Sequence, residues 1–363
     1  PVRNPEQFLA DLAALVAANQ LGQEELRILM RREGLRPVRA FMAHGLAQGA
    51  EAVRQVIDRL QDGSFCSVLD DGSRIAVAVR IDRASRRAVI DFTGTSPQQA
   101  GNRNAPLAIT KAAVLYVFRT LVSDPIPLNA GCFEPLTLIV PPGCLLAPEP
   151  PAAVVAGNVE TSQAVVNALY AALGVMAAAQ GTMNNLSFGN QEHQYYETIC
   201  GGTGAGFRLG QGGFAGADAV QSHMTNSRLT DPEVLEDRFP VRLESFRIRR
   251  GSGGAGRWPG GDGVIRRLRV LAPLTMALLA GSRRQPPFGL AGGEPGLCGS
   301  SQLERPGCAP ELLPGSWLRQ LEAGDLVEIA TPGGGGFGPP EEALPGATNR
   351  CSESADDPRD GHR

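Results

Sequence analysis

The spacing of apolar residues changes once along this chain, and that change limits the class of fold. Up to Leu60 the apolar residues recur at helical intervals. Phe8, Leu9, Leu12, Leu15 and Val16 share one side of a helix, with Asn4 placed to cap it and Pro5 at its first position. A second helix fits residues 23–32, ending at Gly34, and a third fits 38–60. Together they read as a helical hairpin or small bundle. From Arg74 the period becomes two: Ile75, Val77, Val79 and Ile81 alternate with alanine and arginine. A short strand over 87–92, a helix over 107–122 and a strand over 136–140 follow. The prolines of 148–151 make an extended connector, and a helix is expected over 165–180. Beyond Asn226 the pattern is mostly β, with strands at 241–249, 264–271, 275–279 and 326–330. The expected class is α+β: an N-terminal helical segment (1–62), a mixed α/β segment (63–150), a motif-rich, catalytic-type α+β segment (151–342) that is mostly β in its C-terminal part, and a disordered tail (343–363).

Composition removes several kinds of function. The 363 residues are 42% apolar and 20% charged, which is globular rather than disordered. A net charge of −3 argues against nucleic acid or an anionic membrane as partner. No apolar run reaches the roughly 18–20 residues of a membrane span. Lys111 is the only lysine and does not follow a G-x-x-x-x-G loop, so a lysine-bearing phosphate loop is absent. Seven cysteines without a C-x-x-C pair read as reduced, non-ligating and cytoplasmic. None of the four histidines lies within four residues of another, so metal-ligand spacing is absent.

Polar groups concentrate between Gly157 and Asn226. Gly157-Asn158-Val159-Glu160-Thr161-Ser162-Gln163, Gly181-Thr182-Met183-Asn184-Asn185 and Tyr195-Tyr196-Glu197-Thr198 are three of the clusters. Gly201-Gly202-Thr203-Gly204-Ala205-Gly206 and Ser222-His223-Met224-Thr225-Asn226 are the others. Their density around one apolar helix predicts convergence on a single cleft. Glu160 and Glu197 sit in apolar or glycine-rich surroundings, where desolvation raises a carboxyl pKa and suits acid–base work. For Glu160 the competing role is helix-terminal, with Asn158 as cap. His223 is a candidate proton carrier. Asn158, Thr161, Asn184, Asn185, Tyr196, Gly201, Gly202, Thr225 and Asn226 are candidates for binding substrate. Gly201 to Gly206 would form either an N–H nest for an anion or a tight turn. Gly251-Ser252-Gly253-Gly254-Ala255-Gly256 satisfies G-x-G-x-x-G, but Arg257-Trp258-Pro259 cannot begin the helix that a dinucleotide site needs, so it reads as a turn. Nothing marks Cys200 as a nucleophile.

The clusters at 157–163, 195–198 and 223–233 resemble those of the hydantoinase B/5-oxoprolinase family. So do Asp91-Phe92-Thr93-Gly94-Thr95-Ser96-Pro97, Ile126-Pro127-Leu128-Asn129-Ala130-Gly131-Cys132 and Thr331-Pro332-Gly333-Gly334-Gly335-Gly336-Phe337-Gly338. The opening Arg3-Asn4-Pro5-Glu6-Gln7 is most similar to 5-oxoprolinases. The resemblance implies ATP-dependent opening of a cyclic amide such as 5-oxo-L-proline, giving L-glutamate. It implies ATP on a hydantoinase A-type subunit or domain, and an oligomer. An Asn-Asp-Pro-Tyr motif and a His-x-x-Asp-like cluster of such chains are missing here. The chain is therefore expected to be the later part of a B-type region, with any divalent metal held by ligands outside it. The rival expectation is a non-catalytic binding or scaffolding subunit, or an inactive fragment, of a hydantoinase-type complex.

Overall fold

The computed structural model describes residues 5–208 and 210–340. The cap expected at Asn4 and the tail expected over 343–363 lie outside the described residues. The fold is α+β.

Residues 5–33 form one continuous helix, α1 (Pro5–Glu33), where two were expected, and Gly34 at φ 86° turns the chain into α2 (Leu35–Ile57). No residue of α1 is buried, so the expected small bundle is not formed. Only the C-terminal half of α2, with Ala52, Val53, Val56 and Ile57, reaches a core.

The first sheet has the order β1 (Gly63–Val68), β2 (Arg74–Asp82), β3 (Arg87–Asp91) and β4 (Leu136–Ile139). β3 and β4 run parallel, joined across α3 (Leu107–Thr120). The period-two pattern of β2 buries Ile75, Val77 and Val79. They pack with Val114, Val117 and Phe118 of α3 and with Val165, Val166 and Leu169 of α4 (Ser162–Ala172). This first core extends to Val175, so α4 joins the earlier elements and the change of core does not fall at residue 150. The helix expected to reach residue 180 stops at Ala172, and an extended run follows.

The second core lies between two sheets. β5 (Asn185–Gly189) and β6 (Gln194–Thr198) belong to a four-stranded sheet. A small hairpin, β7 (Gly206–Arg208) and β8 (Gly212–Phe214), and helix α5 (Pro232–Arg238) come next. β9 (Val241–Arg249), β10 (Gly263–Val270), β11 (Leu274–Leu279), β12 (Ser300–Glu304), β13 (Glu311–Leu313), β14 (Trp317–Leu321) and β15 (Leu326–Ala330) complete the sandwich. Its sheets read β13-β12-β15-β10-β9 and β14-β11-β5-β6, and Leu186, Phe188, Leu268, Met276, Leu278, Val327 and Ile329 meet between them.

The two cores are tied by glycine-rich strands that pair in three directions. Gly333 and Gly336 donate to Leu297 and Glu294, Gly334 and Phe337 to Gly261 and Trp258, and Gly335 and Gly338 to Ala178 and Leu290. Donor direction repeats every three residues, the period of an extended polyproline-type strand whose bonds all go to neighbours. Such packing leaves no room for side chains: a Cβ on Gly334 would stand 1.8 Å from the Thr203 carbonyl oxygen.

Candidate active site

The site is built where the glycine-tied strands meet the start of α4. Residues 157–161 form a π-type turn, in which the Ala156 carbonyl accepts both the Glu160 and the Thr161 N–H. Turns of this kind inside helices recur at functional sites. Gly157 permits the geometry, since a Cβ there would lie 2.3 Å from the Asn104 carbonyl oxygen. The turn swings Glu160 inward, where it is 3% exposed. Asn158 stays exposed inside the turn and does not cap it.

Glu160 is held by one oxygen. Its Oε1 accepts from Thr182 Oγ1 at 2.7 Å, Asn185 Nδ2 at 2.8 Å and the Met183 N–H at 3.2 Å. Its Oε2 is buried without a hydrogen-bond partner among the described residues. Glu160 lines a cavity of about 440 Å³ together with Asp70, Arg103, Thr161, Asn167 and Ser282. Burial pushes the Glu160 pKa up to about 7, opposed by Arg103, by the Thr182 and Met183 hydrogen bonds and by Arg283. A carboxyl group poised there exchanges protons at neutral pH.

The surrounding groups are mutually fixed. Asn185 also donates to the Leu279 carbonyl and accepts from the Tyr196 hydroxyl at 2.7 Å. Asn184 donates to Gln180 Oε1 and the Ile199 carbonyl, and accepts from Arg283 Nη2 at 2.8 Å. Thr161 donates to the Arg103 carbonyl. Asp70 accepts the N–H groups of Arg283, Arg284 and Gln285, which anchors that loop over the cavity. Burial lowers the Arg283 pKa to about 10. Three non-glycine residues here adopt left-handed backbone: Asn184 at φ 44°, His223 at 59° and Ser282 at 53°. Such conformations persist only where the surroundings enforce them.

His223 belongs to a second, larger cavity of about 1190 Å³, which Tyr116, Tyr170, Thr225 and Asn226 also line. Its ring packs 5.4 Å from Tyr170 and 5.9 Å from Tyr116, centroid to centroid. Burial pushes its pKa down to about 3, so the ring is neutral at physiological pH. Its Nε2 stands 3.0 Å from Asn167 Oδ1, which also accepts the Ala179 N–H. The ring nitrogen facing Asn167 therefore carries the hydrogen, and Nδ1 is left as an acceptor. Asn167 itself lines the first cavity.

The expected single cleft is thus two adjoining cavities, and seven candidates line neither: Asn184, Asn185 and Tyr196 stand behind Glu160, and Asn158, Glu197, Gly201 and Gly202 lie elsewhere. Glu197 is clasped by Arg266, Nε to Oε1 at 2.8 Å and Nη2 to Oε2 at 3.1 Å, and it accepts from the Tyr195 hydroxyl. The reason is strand alternation. Tyr196 faces Asn185 on one side of β6, while Glu197 faces the sandwich core on the other. Gly201 and Gly202 spend their N–H groups on the Val220 and Pro332 carbonyls, and Thr203 and Ala205 on those of Ala217 and Gly335. No anion nest remains there. Burial also pushes the Cys200 thiol up, which disfavours a thiolate. Among the described residues no group of three His, Cys, Asp or Glu could hold a metal ion.

Sequence reasoning missed Arg103, Asp70, Asn167 and Arg283. Asn167 had a signal, being the lone amide in the apolar run 164–172. The other three come from loops far along the chain, and nothing local marks them.

A buried carboxyl group whose pKa is raised by burial thus stands beside fixed amides, with Arg103 and Arg283 near enough to oppose that rise. By sequence the chain belongs to the hydantoinase B/oxoprolinase family, whose model matches residues 1–340. It is 42% identical over 352 residues to 5-oxoprolinase 1 of Arabidopsis thaliana and 41% identical over 350 residues to the 5-oxoprolinase of Saccharomyces cerevisiae. These matches cover 93% and 91% of this chain but 27% of each relative, so the chain spans about a quarter of their length. The fold matches the crystal structure of ATP-dependent caprolactamase from Pseudomonas jessenii with a TM-score of 0.77 at 23% identity, over 92% of this chain and 62% of that one.

Proposed function

We propose that this chain supplies the hydrolytic centre of an ATP-dependent cyclic-amide hydrolase that opens 5-oxo-L-proline to L-glutamate. The observation that carries the reading is Glu160, a cavity-lining buried carboxyl group with one oxygen locked by three donors and the other without a hydrogen-bond partner among the described residues. Glu160 takes a proton from water as the water adds to the ring carbonyl carbon. It returns that proton to the ring nitrogen as the C–N bond breaks. The polar groups of Arg103, Thr161 and Ser282 are placed to orient a small ring in the cavity. ATP, held by a hydantoinase A-type partner, supplies activation of the otherwise unreactive amide. Asn185 and Thr182 position the carboxyl group, and Tyr196 positions Asn185.

The names of the relatives support the substrate class, and the chain's share of their length supports a partner domain or subunit. No helix among the described residues is long and apolar enough to cross a membrane. We place the enzyme in the cytoplasm, where thiols stay reduced. The substrate is tested by combining the chain with an A-type partner and ATP and measuring glutamate formed from 5-oxo-L-proline. Release of glutamate is expected. Turnover of other cyclic amides with none of 5-oxo-L-proline would overturn the assigned substrate while keeping the reaction class.

A further inference from the structure

Gly281 stands beside Glu160 Oε2, and its place is fixed through the groups that hold Glu160. Its N–H donates to Thr182 Oγ1 at 3.1 Å, the hydroxyl that itself donates to Glu160 Oε1. Its carbonyl accepts from Arg283 Nη1 at 3.0 Å, and the Ala280 carbonyl before it accepts from Arg103 Nη2 at 3.1 Å. Beyond its chain neighbours, the three atoms nearest to a Cβ on Gly281 would all be polar. They are Glu160 Oε2 at 3.0 Å, Arg103 Nη1 at 3.6 Å and the Gly181 carbonyl oxygen at 3.8 Å. Glu160, Arg103, Gly181 and Gly281 all line the cavity of about 440 Å³. Glu160 is 3% exposed, and its Oε2 has no hydrogen-bond partner among the described residues.

We propose, on the reading that Glu160 is the hydrolytic base, that these three polar atoms hold the attacking water and that Gly281 is the positioning residue that keeps its place open. A buried water is held by about two to four polar partners, and three converge here. The water donates one hydrogen to Glu160 Oε2 and the other to the Gly181 carbonyl, and it accepts from Arg103 Nη1. One lone pair is left for the ring carbonyl carbon. As that bond forms, the hydrogen on Oε2 passes to the carboxylate and the carbonyl π pair moves onto its own oxygen. Fixing the nucleophile in this way removes orientational freedom before the reaction starts. A methyl group at position 281 would lie 3.0 Å from Oε2 and shut the water off from it. The Gly281 backbone lies outside the left-handed region, so alanine can adopt it. The charged and titratable groups around the carboxyl group are Arg103, Arg283, Asp70 and Tyr196, and the methyl group alters none of them.

Gly281→Ala tests this in the complex with the ATP-binding partner, with 5-oxo-L-proline as substrate. The turnover number should fall about 10²-fold or more with little change in KM. The midpoint of the pH–rate profile should move up from about 7, because a carboxylate that loses a donating water is a less stable anion. Infrared titration of the carboxyl band that Glu160→Gln removes should show the same upward move in the chain alone, without partner or ATP. A slower variant whose midpoint stays at the wild-type value would make Gly281 merely structural and overturn the proposal. A slow Glu160→Gln beside a Gly281→Ala of wild-type rate and pH profile would overturn the water site and leave the role of Glu160 standing. A Glu160→Gln of wild-type rate would overturn both. A crystal structure of the wild-type chain gives a check that needs no variant. A water is expected within about 2.6–3.2 Å of both Glu160 Oε2 and Arg103 Nη1, and an Oε2 that meets no water would overturn the proposal.

Discussion

His223 Nε2 lies 3.0 Å from Asn167 Oδ1, and this contact forms the wall between the two cavities. Asn167 is held from the other side by the Ala179 N–H and carbonyl, so the amide has one orientation and the imidazole one tautomer. A protonated ring would place a second N–H, on Nδ1, in a site that desolvates charge.

That pairing predicts an acid sensitivity. The folded-state pKa of His223 is pushed down to about 3 from an ordinary 6.5. Below pH 6.5 the unfolded chain gains a proton there and the folded chain does not. The contribution of His223 to stability is therefore present above pH 6.5 and lost as pH falls toward 3. His223→Gln, which keeps an amide donor toward Asn167, should reduce the stability lost between pH 7 and pH 5, read by urea unfolding at each pH. Equal losses in both proteins would contradict the assignment.

Glu160 predicts the opposite slope. Its folded pKa is raised to about 7 from an ordinary 4.5. Below pH 4.5 both states are protonated. Between pH 4.5 and 7 the unfolded chain ionises first, so stability falls as pH rises, at up to about 1.4 kcal/mol per pH unit. Glu160→Gln removes that fall and should be more stable than wild type at pH 8, with little difference at pH 4.5. Chemical denaturation across that range measures it, and a variant less stable than wild type at pH 8 would refute the raised pKa.

Glu197 is expected to matter for folding rather than for turnover. Glu197→Gln leaves the Arg266 guanidinium buried without its counter-charge, since both side chains are 3% exposed or less. Breaking one half of such a pair costs roughly 3–5 kcal/mol. Melting temperature should fall clearly, while turnover per folded molecule stays near wild type. A variant that melts normally and turns over about a hundredfold slower would move the acid–base role to Glu197.

The glycine-tied strands give a packing prediction. Gly334→Ala brings a methyl group to 1.8 Å from the Thr203 carbonyl oxygen, and backbone rather than a movable side chain stands in the way. Overpacking of this kind costs about 1–3 kcal/mol and occasionally more. The loss should appear as a lower denaturation midpoint, and an unchanged midpoint would show that the strands are not closely joined.

Part of this was legible in the sequence. Local period exposed β2, β3, α3 and the late strands, because one face of each is buried and the pattern repeats within a few residues. The polar clusters at 157–163 and 181–185 offered Glu160 and Asn185 as candidates, and these two side chains are hydrogen-bonded to each other, with Thr182 of the same cluster joining them. Two things lay outside local reading. Arg266 is 69 residues from Glu197, so the ion pair that explains a lone buried glutamate could not be seen from its neighbours. The Gly-rich motifs looked alike, yet their N–H groups are consumed by each other across 178, 261 and 334, a tertiary arrangement that no spacing rule encodes.

The most direct measurement is the turnover number of Glu160→Gln in the complex with its ATP-binding partner, with 5-oxo-L-proline as substrate. The amide keeps an acceptor for Thr182, Asn185 and Met183 and fills the same space, but cannot shuttle a proton. The account predicts a fall of about 10²–10⁴-fold in kcat with little change in KM, and a wild-type rate that rises with pH through about 7 as Glu160 ionises. A Glu160→Gln enzyme that turns over like wild type would contradict it.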